Sequence, residues 1–123
     1  MIDSENRAHA YQFFLEEVPE LLHILEAGLL NLQQNCNPGK IHDLMRAAHS
    51  LKGGAATVGL NAIKTIAHRL ETIFKALCVE TNIDTELETL LLKSYDCLQL
   101  PLNQQLTTGS FDSELALTNA DSV

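Results

Sequence analysis

Between residues 5 and 34, in ENRAHAYQFFLEEVPELLHILEAGLLNLQQ, the residues Tyr11, Phe14, Val18, Leu21, Leu22, Leu25, Leu29 and Leu32 recur at three- and four-residue intervals. At 3.6 residues per turn this spacing gathers apolar side chains on one stripe of a helix. A helix about 30 residues long with one such stripe cannot leave it in water, so it has to lie against other helices. Pro19 falls inside the pattern and removes a backbone hydrogen bond, which predicts a kink or a short break near Val18.

The rest of the chain supplies the partners. NCNPGK at 35–40 is a turn by composition. A second periodic segment runs from about Ile41 to Val58 through Leu44, Ala48, Leu51 and Ala55. In GLNA at 59–62, Gly59 can close one helix and Asn61 can open the next. The third segment runs from Ala62 to about Val79 with Ile63, Ile66, Leu70, Ile73, Phe74 and Leu77. The fourth runs from Thr85 to Leu106 through Leu87, Leu91, Tyr95, Leu98 and Leu102, with Pro101 expected to shorten or bend it. Four amphipathic helices on short loops predict an all-α, antiparallel up-down four-helix bundle over residues 1–106. Residues 107–123 are polar apart from Leu115–Leu117, and read as a tail, a linker to further domains, or the start of a fifth helix.

Composition agrees with that class and narrows function. A chain of 123 residues that is 46% hydrophobic, with no Trp and 5% aromatics, suits one helical domain. The formal charge of -8 repels nucleic acid and anionic membranes. Cys36, Cys78 and Cys97 are odd in number and form no CxxC pair, so they are read as free thiols in a reducing compartment. The N-terminal stretch is polar and no window reaches the roughly 18 apolar residues of a membrane span, so a cytoplasmic protein is expected; as an isolated domain it is expected to be a monomer.

Chemistry concentrates in AAHSLKGGAATVGL, residues 47–60. On a helical wheel His49 lies roughly 130° from the centre of the apolar sector and should face outward. Lys52 stands three residues on. Gly53 and Gly54 follow in the helix interior, where each glycine costs about 1 kcal/mol relative to alanine. Two compensations are open: small residues give a partner protein clearance over a projecting ring, or they allow tight packing within the bundle. In the third helix, AHRLE at 67–71 places His68 and Glu71 three apart on the flank or outer face, with Lys64 and Lys75 on the same side. A tight turn makes the second and third helices antiparallel neighbours, which lets His68 and Glu71 lie near His49 and Lys52. A carboxylate bonded to one imidazole nitrogen fixes the tautomer and raises the basicity of the other, a role for Glu71. An ammonium nearby can offset phosphoryl charge, a role for Lys52. His9, His23 and His42 lack such company.

The sequence has no ExxH motif, its expected core is apolar, and it has no Gly-rich phosphate loop, GxSxG elbow or Cys/His pair. No metal and no cofactor is expected.

RAAHSLKGGAATVGL closely resembles the phosphorylation-site helix of histidine phosphotransfer (HPt) domains, particularly the N-terminal domain of chemotaxis-type histidine kinases. FFLEEVPELLHILEAGLLNLQ is similar to that family's first helix and AHRLETIF to its third, so the resemblance covers about residues 8–106 in order. Pro19, Val58 and Leu60 depart from it, the last two standing where the family often has Phe. The resemblance implies that His49 is the phosphoacceptor, through Nε2, with Glu71 orienting the ring and Lys52 and His68 as polar neighbours. It implies partner docking at Gly53, with Ala56 and Arg46 on the same face. The implied partners are the ATP-bound catalytic domain of a histidine kinase and a response-regulator receiver domain. The chain as it stands would be a phosphocarrier in a chemotaxis-like relay, with a longer histidine kinase as its parent. A helical interaction bundle that has lost phosphotransfer is the alternative.

Overall fold

The computed structural model describes residues 4–30, 32, 37–77 and 83–123, and in them the apolar periodicities fold as helices. These are α1 (Ser4–Leu30), α2 (Pro38–Val58), α3 (Asn61–Leu77), α4 (Thr85–Thr108) and α5 (Ser113–Asp121). There is no strand among the described residues.

Local chemistry sets the boundaries. Asn37 is extended and its side chain accepts the Lys40 N–H at 2.9 Å, while Pro38 sits where a helix has no use for a backbone donor. α2 therefore starts at Pro38, inside the stretch read as a turn. Gly59 closes it with φ 82°, and the N–H groups of Gly59 and Leu60 turn back to the carbonyls of Ala56 and Ala55 at 3.4 and 2.9 Å. Asp84 caps α4 through the Leu87 N–H at 2.8 Å. Both internal prolines are absorbed without a break. α1 continues through Pro19 beside a fully buried Val18, and α4 passes through Pro101 to Thr108, beyond its expected end at Leu106.

α1, α2, α3 and α4 pack in a ring, each against the next and α4 against α1, around Phe14, Leu25, Leu44, Leu51, Leu70, Phe74, Leu98 and Leu102. This is the expected bundle. α1 and α2 approach closely because Gly28 faces Leu44: a Cβ there would lie 2.6 Å from Leu44 Cδ2. Between the neighbours α4 and α1, the Tyr95 hydroxyl donates to the Leu22 carbonyl at 3.1 Å. Burial, with the negative charges of Glu26 and Asp96 nearby, pushes that phenol up to about 12.

The segment 107–123 holds a helix. α5 lies against α3 and α4, buries Ala116, and is tied by Arg69 of α3 to Asp121 at 2.6 Å. The fifth helix that the sequence allowed for this segment is present. Cys97 is a partly buried free thiol, its pKa raised by burial and by Asp96; Cys36 and Cys78 lie outside the described residues.

Candidate functional site

The turn at Gly59 and Leu60 determines what meets across α2 and α3. His49 and Glu71 are each eleven residues from Leu60 (60 − 49 and 71 − 60), and eleven residues are close to three helical turns. The two side chains therefore leave their helices toward each other. His49 Nδ1 lies 2.6 Å from Glu71 Oε2, and Lys52 Nζ donates to Glu71 Oε1 at 2.6 Å. His68 Nδ1 is 3.7 Å from the same Oε1. His49, Lys52 and His68 are thus gathered around the carboxylate of Glu71, the fourth residue expected at the site.

Their exposures differ sharply. The His49 and His68 side chains are 61% and 60% exposed, and Lys52 is half-buried. Glu71 is buried, and this corrects its expected place on the flank or outer face of α3. Its neighbours Leu70 and Phe74 belong to the core, and the carboxylate is tolerated beside them because Lys52 and His49 meet both of its oxygens. Burial on its own would raise the Glu71 pKa. The hydrogen bonds from Lys52 and His49, with the charge of the Lys52 ammonium and that of the His49 ring whenever it is cationic, outweigh that, so the carboxyl lies below its ordinary value of 4.5.

Chemically, this is a directed imidazole. With the carboxylate on Nδ1, the proton of the neutral ring is held at Nδ1, and Nε2 keeps its lone pair on the outer edge of an exposed side chain. A group bonded at Nε2 would leave the ring cationic, with its remaining N–H facing an anion.

The two glycines separate into the two roles the sequence left open. A Cβ on Gly54 would strike the ring of Phe14 in α1, so this glycine serves packing inside the bundle. A Cβ on Gly53 would meet nothing within 4 Å. Gly53 is exposed, as are Ala56 and Arg46, and all three lie at helical spacing from His49 on the outward face of α2. His9, His23 and His42 are exposed elsewhere on α1 and α2.

Beside the imidazole a shallow hollow of about 280 Å³ is lined by Met45, Arg46, His49, Ser50, Glu71 and Lys75. Lys75 and Ser50 had no expected function. The signal for Lys75 was present: it stands four residues after Glu71, as Arg46 stands three before His49, which in antiparallel helices is the same direction.

Among the described residues no group of three or more His, Cys, Asp or Glu could hold a metal, and no helix is long and apolar enough to cross a membrane.

Residues 9–107 match the family model of the Hpt domain. The chain is 37% identical over 85% of its length to the chemotaxis protein CheA of Klebsiella aerogenes, covering 16% of that protein. It is 34% identical over 76% of its length to CheA of Salmonella typhimurium, covering 14% of it. It is 33% identical over 82% of its length to the gliding motility regulatory protein of Myxococcus xanthus, covering 13% of it. The chain thus spans about one sixth or less of these relatives. A crystal structure of the phosphorylated P1 domain of CheA3 in complex with CheY6 from R. sphaeroides matches with a TM-score of 0.74 at 23% identity, over 93% of this chain and 94% of that one, and shares the fold.

Proposed function

This chain belongs to the Hpt domain family, and we propose that within it His49 takes up a phosphoryl group from a nucleotide-bound histidine kinase and passes it to an aspartate of a receiver domain. The observation that carries the reading is the pairing of an exposed ring with a buried carboxylate: His49 is 61% exposed while its Nδ1 lies 2.6 Å from Glu71. Only Nε2 is then both unprotonated and reachable.

In the first transfer the lone pair of Nε2 attacks the γ-phosphorus of ATP. The N–P bond forms as the bond from phosphorus to the bridging oxygen of ADP breaks. The ring becomes an imidazolium whose Nδ1–H stays on Glu71. In the second transfer a receiver aspartate oxygen attacks the same phosphorus, the N–P bond breaks, and its electron pair returns to Nε2 to restore the neutral ring. Glu71 stabilises the cationic ring between the two steps, and Lys52 holds the carboxylate in place. Gly53 and Ala56 leave the ring clear on the outward face, where a receiver domain can close over it.

On this reading the chain is a phosphocarrier, its parent a longer, cytoplasmic histidine kinase of a chemotaxis-like relay. The 34–37% identity to CheA proteins over most of this chain supports it. The test is incubation with the cognate kinase and radiolabelled ATP. An acid-labile, base-stable phosphate that vanishes in His49→Gln is expected. Labelling that survives this substitution removes His49 from the reaction, and no labelling of a folded wild type leaves a helical interaction bundle that has lost phosphotransfer.

A further inference from the structure

Lys52, three residues after His49, is already committed. Its ammonium sits 2.6 Å from the buried Glu71 carboxylate, so the two charges largely offset each other. The hollow beside His49 has two other cations, Arg46 and Lys75, one from each helix, both exposed. Neither is ion-paired among the described residues, in a chain whose formal charge is -8. The antiparallel register explains their company. Three residues before His49 on α2 and four after Glu71 on α3 lead to the same side of the pair, just as three after His49 and three before Glu71 lead to Lys52 and His68 on the other.

We propose that Arg46 and Lys75 form an anion subsite that receives the phosphoryl group as it reaches His49 Nε2, on the side of the ring opposite Lys52. This rests on the assignment of His49 as phosphoacceptor. A phosphoryl group in transfer spreads about two negative charges over its non-bridging oxygens, and with Lys52 offset by Glu71 the unspent positive charge near the ring is that of Arg46 and Lys75. Ser50, on the same wall, adds a hydroxyl able to donate to an oxygen of that group. Lys75 is the specific element: it reaches the hollow only because the turn at Leu60 sets α3 in this register against α2.

The experiment uses potassium phosphoramidate, a donor small enough to need no kinase. Nε2 attacks phosphorus, the N–P bond of the donor breaks, and ammonia leaves with the proton already on its nitrogen. Labelling of His49 is followed in wild type, Lys75→Gln, Lys75→Arg and, as a control on the exposed face of α4, Lys93→Gln. Lys75→Gln should label about fivefold more slowly, Lys75→Arg at nearly the wild-type rate and Lys93→Gln unchanged, all with wild-type helicity and melting temperature. Added salt should slow wild type more than Lys75→Gln. A folded wild type with no phosphate on His49 overturns the assignment of the phosphoacceptor and the subsite with it. Labelled wild type with Lys75→Gln equally fast overturns the subsite alone. A defect in Lys75→Gln seen with the kinase and ATP but absent with phosphoramidate also overturns it, by placing the lysine against a partner protein.

Discussion

His49 Nδ1 and Glu71 Oε2 lie 2.6 Å apart across 22 residues of sequence, one on an exposed ring and the other on a buried carboxylate. The contact is the product of a two-residue turn. Gly59 can take φ 82° without a Cβ in the way, Leu60 follows, and eleven residues on either side return the chain to the same height and face.

Removing the carboxylate should therefore change chemistry more than fold. In Glu71→Ala the ring loses its fixed tautomer and its counter-charge, and phosphorylation should slow by roughly 10- to 100-fold, as when a carboxylate behind a functional histidine is lost. Both partners can turn to water, since His49 is exposed and Lys52 half-buried, so stability should fall by only about 1–2 kcal/mol. Initial rates of labelling together with a thermal melt check both halves. An unchanged rate would leave Glu71 as a structural anchor for Lys52.

The same carboxylate predicts a pH dependence with a definite sign. Its pKa is lowered in the folded protein, so its contribution to stability is complete above the ordinary value of 4.5 and is lost as pH falls through the lower folded value. Wild type should exceed Glu71→Gln in stability near neutrality, and the difference should shrink only below about pH 4.5. Urea unfolding of both proteins across pH 3–7 measures it. A difference that grew on acidification would mean the carboxyl is raised by burial instead.

Adjacent glycines should respond in opposite directions. Gly53→Ala adds a methyl in open space and a better helix former, so it should stabilise by up to about 1 kcal/mol. Gly54→Ala drives its methyl into the Phe14 ring and should destabilise by about 1–3 kcal/mol despite the same gain in propensity. Melting temperatures of the two variants provide the comparison. If a receiver domain docks here as proposed, any side chain larger than alanine at Gly53 should also hinder transfer from the outward face without unfolding the bundle.

Much of this was legible in the sequence because helical periodicity is a short-range signal. Phe14, Val18, Leu44, Leu51, Leu70 and Leu98 are buried where three- and four-residue spacing placed them, and the outward turn of His49 followed from the same wheel. Glu71 was harder. Its burial depends on Lys52 and His49 arriving from another helix, and a wheel drawn on α3 alone assigns a carboxylate to solvent. The glycines were ambiguous for the same reason, since only the approach of Phe14 distinguishes Gly54 from Gly53. Pro19 shows a limit of the opposite kind: the local rule allowed a break there, and the helix continues through it beside a fully buried Val18.

The four-helix unit, residues 1–106 as expected from sequence, is proposed to fold without the segment that follows. The ring of α1 to α4 closes on itself, and α5 lies outside it. What α5 adds is small: buried Ala116, partial cover from Phe111, Leu117 and Ala120, and an exposed ion pair between Arg69 and Asp121. An exposed pair contributes little, and one small buried side chain adds little more. The cap of α4 argues for keeping Gly109, whose N–H closes on the Gln105 carbonyl and whose own carbonyl accepts the buried Gln105 amide. A chain ending at Ser110 should thus unfold cooperatively at a lower melting temperature and label at His49 at the full rate, while its Cys97 thiol, covered in part by Asn119 and Ala120, becomes more reactive to a thiol reagent. Loss of cooperative unfolding would instead make α5 an integral fifth member of the domain.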